Sequence, residues 1–133
     1  MVYPALKAAE GLSQEGIEAT VINARFVKPL DEALVRRAAQ LGALVTLEEA
    51  QVAGGFGSGV SEALDALGCS AIPQLRIGLP DAFVEHGKRD ELLQRCQLDP
   101  ESLIARITRW FRGVRVAAAE AGDDARLLTQ SSA

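Results

Sequence analysis

The stretch LVTLEEAQVAGGFGSGVSEAL, residues 44–64, sets the fold of this chain. Its first residues are apolar and β-branched, as in a buried strand, and from Val60 onward apolar residues recur at helical spacing. Four glycines lie between the two patterns, with Ser58 as a candidate helix cap and Gly68 at the helix stop. The stretch therefore predicts a strand, a tight turn and a helix.

The same alternation of helical and strand patterns extends along the chain in both directions. Before the stretch, it predicts a helix with Ala5 and Leu12 inward, a strand over EATVINA (residues 18–24), and a helix capped by Asp31. After it, QLRIGLP (residues 74–80) predicts a strand, residues 90–96 a short helix, and Asp99 with Pro100 the start of a final helix.

Alternating strands and helices predict an α/β fold, a three-layer α/β/α sandwich with a mostly parallel sheet. Only MVY precedes the first helix, so we expect the first strand of the sheet to be truncated. From Val116 the apolar residues are mostly alanine, which predicts a disordered tail over residues 116–133. Residues 1–115 are then a single domain.

Composition limits the function classes. A net charge of -4 and the lack of a basic cluster argue against a nucleic-acid partner. No apolar run is long enough to cross a membrane. The two cysteines, Cys69 and Cys96, are too far apart in sequence to indicate a zinc site or a disulfide framework. A cytoplasmic location is the expectation.

The glycine turn admits three interpretations. In the first, the lack of side chains at Gly54, Gly55 and Gly57 lets strand and helix pack closely. In the second, the free N–H groups at the helix start, near Phe56 and Ser58, bind a small anion. In the third, the turn contacts a partner. The G-x-G-x-G spacing matches neither a dinucleotide fingerprint nor a P-loop. A tight structural turn is favoured.

Two carboxylates precede the turn. Glu48 and Glu49 could act as acid and base, but neighbours on a strand point to opposite faces. We expect one of them to accept hydrogen bonds from the amides of the turn instead.

The single histidine, His86, follows Glu85 in a predicted surface loop. The two could form an acid/base pair, but no nucleophile or second histidine lies nearby in sequence. Loop bracing or a partner contact is favoured.

Three segments in this order, VINARFVKPLDEALV, LVTLEEAQVAGGFGSGVSEAL and LRIGLPDAFVEHGKRDELL, resemble the C-terminal domain of 1-deoxy-D-xylulose-5-phosphate synthases, which are transketolase-like enzymes. The resemblance covers about Val2 to Phe111. It implies a parent enzyme that uses thiamine diphosphate and Mg²⁺ to condense pyruvate with glyceraldehyde 3-phosphate and release CO₂, for isoprenoid, thiamine and pyridoxal synthesis.

The resemblance implies that catalytic and cofactor-binding residues lie in the preceding domains, so no catalytic, cofactor-binding or metal-binding residue is assigned here. The expected partners are the remaining domains and a homodimer partner, and the chain alone is expected to be inactive. The candidate interface or anion-binding residues are Glu48, Glu49, Gly54, Gly55, Phe56, Gly57, Ser58, Glu85 and His86. Two alternatives remain open: a free-standing domain that binds a phosphorylated metabolite at the turn, and the equivalent domain of a pyruvate dehydrogenase E1 β-subunit.

Overall fold

A computed structural model of the chain describes the backbone of residues 1–130 and the side chains of residues 1–120. Five helices and two strands follow one another along it. They are α1 (Val2–Gln14), α2 (Glu32–Ala39), β1 (Leu44–Gln51), α3 (Phe56–Ala66), β2 (Gln74–Leu79), α4 (Arg89–Arg95) and α5 (Pro100–Gln130). No helix within residues 1–130 is long and apolar enough to cross a membrane.

The two strands run parallel, with Leu44 opposite Gln74 and Leu47 opposite Ile77. The register is irregular between Leu47 and Gln51. Gly78 makes this irregularity possible, because a Cβ there would lie 2.7 Å from the carbonyl oxygen of Ala50.

Helices cover both faces of the sheet. On one face, Leu44 packs with the buried Val35, Val60 and Leu64 of α2 and α3. On the other, Val45 and Leu47 pack with a core that includes Ala8 of α1 and Leu103 of α5. The predicted α/β class with three layers is therefore confirmed.

Helices α1 and α5 lie in direct contact on the second face. A Cβ at Gly11 would fall 2.3 Å from Cδ1 of Ile104, so the backbone of α1 approaches α5 closely and a larger residue there would require the side chain of Ile104 to move. Arg112 of α5 also donates to Glu15 at 2.9 Å, just beyond the end of α1.

The predicted strand over residues 18–24 is wrong: this segment has no regular secondary structure. A strand forms only where a neighbouring strand takes up its backbone groups. Among the described residues, β1 pairs with β2 alone, and residues 18–24 lie across a cavity from β1. Residues 18–24 do have the composition of a strand, but among the described residues no neighbouring strand accepts their backbone hydrogen bonds.

Two helix boundaries also differ from the sequence analysis. Ser58 does not cap α3, because the N-cap is Gly55 and Ser58 lies inside the first turn. The segment from Val116 continues α5 as helix to Gln130, with exposed side chains from Arg115 to Glu120. The disorder expected there stays a prediction, and its last residues, 131–133, lie outside the described part.

Candidate functional site at the carboxyl ends of the strands

The candidate residues come together at one edge of the sheet. Because β1 and β2 are parallel, the turn after β1 and the loop after β2 leave from the same side. The N–H of Val52 donates to the carbonyl of Leu79 at 3.1 Å and fixes the two exits beside each other. In parallel α/β sheets this edge is where ligands and partners are commonly bound.

Glu48 is buried below the glycine turn, with only 7% of its surface exposed. Its carboxylate accepts the N–H of Phe56 at 2.7 Å and the N–H of Gly57 at 2.9 Å. These are the first two amides of α3, whose N-cap supplies no side-chain hydrogen bond of its own. A carboxylate from β1 therefore caps α3 and faces the positive end of its dipole.

The glycines of the turn are required by this arrangement. A Cβ at Gly55 would lie 2.2 Å from Oε2 of Glu48, and one at Gly57 would lie 2.4 Å from Oγ1 of Thr46. Of the turn glycines only Gly54 has a positive φ, at 72°. Close approach, rather than unusual backbone conformation, is the reason for glycine at the other two positions.

Ser58 holds the outer part of the turn. Its Oγ accepts the N–H of Gly54 and donates to the carbonyl of Val52, both at 3.1 Å, and Arg76 of β2 donates to the same oxygen at 3.0 Å. One hydroxyl thus ties the turn to itself and to the neighbouring strand.

These contacts favour one of the three interpretations of the turn. Within the described residues, the amides of Gly54, Phe56 and Gly57 all have acceptors, and the acceptor at the helix start is already an anion. A second anion would have to displace Glu48 or lie beside it, which like charges oppose. The geometry therefore favours a structural turn over an anion site.

Glu49 points away from Glu48 and is exposed. Arg89, at the start of α4, donates to both of its oxygens, at 3.0 Å and 2.5 Å. This paired hydrogen bond, opposed by partial burial, holds the pKa of Glu49 below its ordinary value of 4.5. The pair fastens α4 to the end of β1, and the two neighbouring glutamates do not converge on a common point.

The loop after β2 forms the outermost part of the edge. Every residue from Asp81 to Asp90 is exposed, and the ring of Phe83 is fully so. Glu85 lies 3.8 Å from Arg95, and the hydrogen bonds of the described residues include none between Glu85 and His86. The loop therefore presents side chains outward and does not assemble an acid/base pair. Sequence analysis missed Phe83, whose only signal was a large apolar residue in an otherwise polar loop.

Among residues 1–120, the side chains at the carboxyl ends of the strands do not form a site for Mg²⁺. Mg²⁺ is held by several oxygen ligands in one place, and residues 1–120 contain no group of three or more potential ligands. The two glutamates at the edge are engaged, one with amides and one with Arg89.

The chain belongs to a known protein family. Residues 1–103 match the family described as transketolase, C-terminal domain. A solved structure titled split gene transketolase, inactive beta4 tetramer, superposes with a TM-score of 0.71 at 37% identity, covering 81% of this chain and 34% of that one.

Within that family, the chain is similar to 1-deoxy-D-xylulose-5-phosphate synthases. It is 52% identical to the synthase of Synechococcus elongatus over 112 residues, which are 84% of this chain and 18% of that enzyme. The synthase of Thermomicrobium roseum is 53% identical over 106 residues, 79% of this chain and 17% of the enzyme. The resemblance to the C-terminal domain of these synthases is confirmed, and the chain spans less than a fifth of their length.

Proposed function

We propose that this chain is the C-terminal assembly domain of a 1-deoxy-D-xylulose-5-phosphate synthase. The whole enzyme would condense pyruvate and glyceraldehyde 3-phosphate with loss of CO₂, in the synthesis of isoprenoid, thiamine and pyridoxal precursors. It would be a thiamine diphosphate dependent transferase. The domain would complete the protomer and take part in a homodimer, and would be inactive alone.

This proposal rests on the structure of the sheet edge at the carboxyl ends of β1 and β2, where a braced turn lies beside an exposed loop. Glu48, the glycines and Ser58 brace one another through hydrogen bonds, so the edge is rigid. On that rigid base the loop after β2 exposes the ring of Phe83 together with Val84. A fully exposed aromatic ring on a braced edge suits contact with another protein surface. The candidate interface residues are the turn, Glu85 and His86, with Phe83 added.

Cofactor binding would fall to other parts of the enzyme. Support comes from the engagement of Glu48 and Glu49, which leaves neither carboxylate available as a Mg²⁺ ligand without loss of a structural contact. The free thiols of Cys69 and Cys96 support the cytoplasmic location that we include in the proposal. The two alternative functions are not favoured, since the similar proteins are synthases and the amides of the turn are occupied.

A chimeric enzyme tests the proposal. The 112 aligned residues of this chain would replace the matched region of the Synechococcus elongatus synthase. Product formation from pyruvate and glyceraldehyde 3-phosphate would be measured with thiamine diphosphate and Mg²⁺. We expect activity within about tenfold of the parent enzyme, since assembly domains contribute no reacting group. The parent lacking this region and the isolated chain should both be inactive. A folded chimera without activity, or an active isolated chain, would contradict the proposal.

A further inference from the structure

A cleft of about 630 Å³ opens at the surface where the end of α1 meets α5. Glu15, just beyond α1, lines one side, and α5 contributes side chains between Glu101 and Arg112. Among the described residues that line this cleft, none belongs to the candidate interface at the carboxyl ends of β1 and β2. The domain therefore has a second surface feature, which is formed by helices and lies apart from the sheet edge.

The side of α5 that borders this cleft carries charges of opposite sign. Glu101, Ala105 and Arg109 are exposed and follow one another at intervals of four residues, so they share one side of the helix, here called the outward face of α5. Glu101 and Arg109 are about 12 Å apart along the axis at the usual rise of an α-helix. Among residues 1–120, neither of them takes part in an ion pair. The face thus presents an acid, a small residue and a base at equal intervals.

The order of these charges is complementary to itself when it is reversed. Two antiparallel copies of α5, with Ala105 of each on a two-fold axis, place residue 101 of one copy opposite residue 109 of the other, because both are four residues from the axis. Two equivalent ion pairs then form, each between Glu101 of one copy and Arg109 of the second copy. A parallel arrangement would place like charges against each other.

The centre of the outward face allows two helices to approach each other closely. Ala105 has only a methyl group, and helices with small side chains at their crossing pack with axes about 8–10 Å apart. Arg112, three residues beyond Arg109, donates to Glu15 at 2.9 Å and is itself exposed. Its remaining N–H groups lie on the same side of α5 as Arg109 and add to the positive end of the face.

We propose that the outward face of α5 binds the same face of a second copy of this chain, antiparallel and centred on Ala105. The ion pairs set the orientation more than the affinity, because exposed pairs contribute little to binding. A contact between two helices is small, so we expect a monomer–dimer Kd on the order of 0.1 mM. The proposal goes beyond the proposed function, since neither catalysis nor assembly at the sheet edge depends on it.

Charge reversal tests the face directly. Glu101→Arg gives the face two bases and Arg109→Glu gives it two acids, so each variant repels its own copy. Sedimentation equilibrium at low ionic strength should show the Kd raised by about tenfold or more in each variant. An equimolar mixture of the two should associate at least as tightly as the parent chain, because every acid then faces a base. Glu62→Arg, at an exposed position of α3, is the matched control and should leave the Kd unchanged.

A disulfide at residue 105 tests the two-fold centre. With helix axes about 10 Å apart, the two Cα atoms of residue 105 are about 5–6 Å apart, a distance that a disulfide spans. Ala105→Cys should therefore give a cross-linked dimer on mild oxidation. Ala66→Cys, at an exposed position of α3, is the control and should not. The parent chain, with its free thiols Cys69 and Cys96, gives the background level.

Several results would overturn the proposal. A parent chain that stays monomeric at about 1 mM lacks the contact. Charge reversals on α5 that behave like Glu62→Arg would place the association elsewhere, for example at the loop that carries Phe83. Equal cross-linking at residues 66 and 105 would show random collision. An active chimeric synthase together with a monomeric parent chain would leave the proposed function standing while the α5 contact fails.

Discussion

The carboxylate of Glu48 accepts the amide of Gly57 at 2.9 Å across nine residues of sequence. The same carboxylate also accepts the N–H of Phe56, so one buried side chain of β1 is hydrogen-bonded to the first two amides of α3. This relationship joins strand, turn and helix into a rigid edge. It also leaves the first two amides of α3 with an acceptor from within the domain.

Replacing Glu48 should destabilise the domain far more than replacing its neighbour. In Glu48→Gln, one oxygen becomes an NH₂ group and a buried amide of α3 loses its acceptor, which costs about 1–3 kcal/mol. Glu49→Gln is the matched control, because Glu49 is exposed and its pair with Arg89 is a surface contact worth about 0–1 kcal/mol. Urea denaturation of the two variants measures the difference. Equal losses would show that Glu48 is not the cap of α3.

Gly57→Ala should destabilise the domain by steric overlap. The new Cβ would lie 2.4 Å from Oγ1 of Thr46, a contact that side-chain or backbone movement must relieve at about 1–3 kcal/mol. Adding Thr46→Ala removes that oxygen, which has no hydrogen-bond partner among the described residues. The double variant should therefore lose less stability than the sum of the single ones, as a thermodynamic cycle measures. If the stability losses of the two single variants simply add, the strain caused by Gly57→Ala does not come from contact with Thr46.

Asp99 should contribute to the acid sensitivity of the domain. Burial favours the protonated form of its carboxyl, but hydrogen bonds from Ser102, from the backbone of Asp99 itself and from Glu101 together outweigh burial and hold its pKa below 3.8, the ordinary value. The stabilisation is therefore present above about pH 4 and is lost as pH falls through the lower folded-state pKa.

Asp99→Asn tests this, since asparagine caps helices about as well as aspartate but does not titrate. The Tm advantage of the parent chain over the variant should be greatest near neutral pH and should shrink as pH is lowered toward 2. Asp65→Asn, at an exposed position of α3 where no helix cap is lost, is the control. An advantage of the parent that grows on acidification would contradict the assignment.

Phe83→Ala should weaken assembly without affecting the fold. Its ring is fully exposed, so removing it costs no core packing, while an interface aromatic commonly contributes about 2 kcal/mol or more to binding. In the chimeric synthase, sedimentation should show the dimer Kd raised by about tenfold or more, with the Tm of the isolated chain unchanged. Tyr3→Ala, at an 81% exposed position of α1, is the matched control. The same dimer Kd in both variants would remove Phe83 from the interface.

Sequence patterns predicted those elements whose stabilising contacts are local. The cap of Asp31 on the N–H of Leu34, at 2.9 Å, and that of Asp99 on Ser102, at 3.1 Å, each join residues three positions apart. Side-chain periodicity likewise placed β1, α3 and β2, because the faces buried by helices and strands repeat at fixed spacing. The expectation that one glutamate accepts amides of the glycine turn was also correct.

Tertiary structure decided the features that depend on contacts between residues far apart in sequence. Nothing local distinguishes Glu48 from Glu49, and only the packing of α3 against β1 made Glu48 the cap and left Glu49 to Arg89, forty residues away. Residues 18–24 have the composition of a strand, yet a strand exists only when another supplies its hydrogen bonds. The sequence by itself determined which segments could become helix or strand. The three-dimensional arrangement decided which of them found a partner, because that depends on positions in space that no local pattern records.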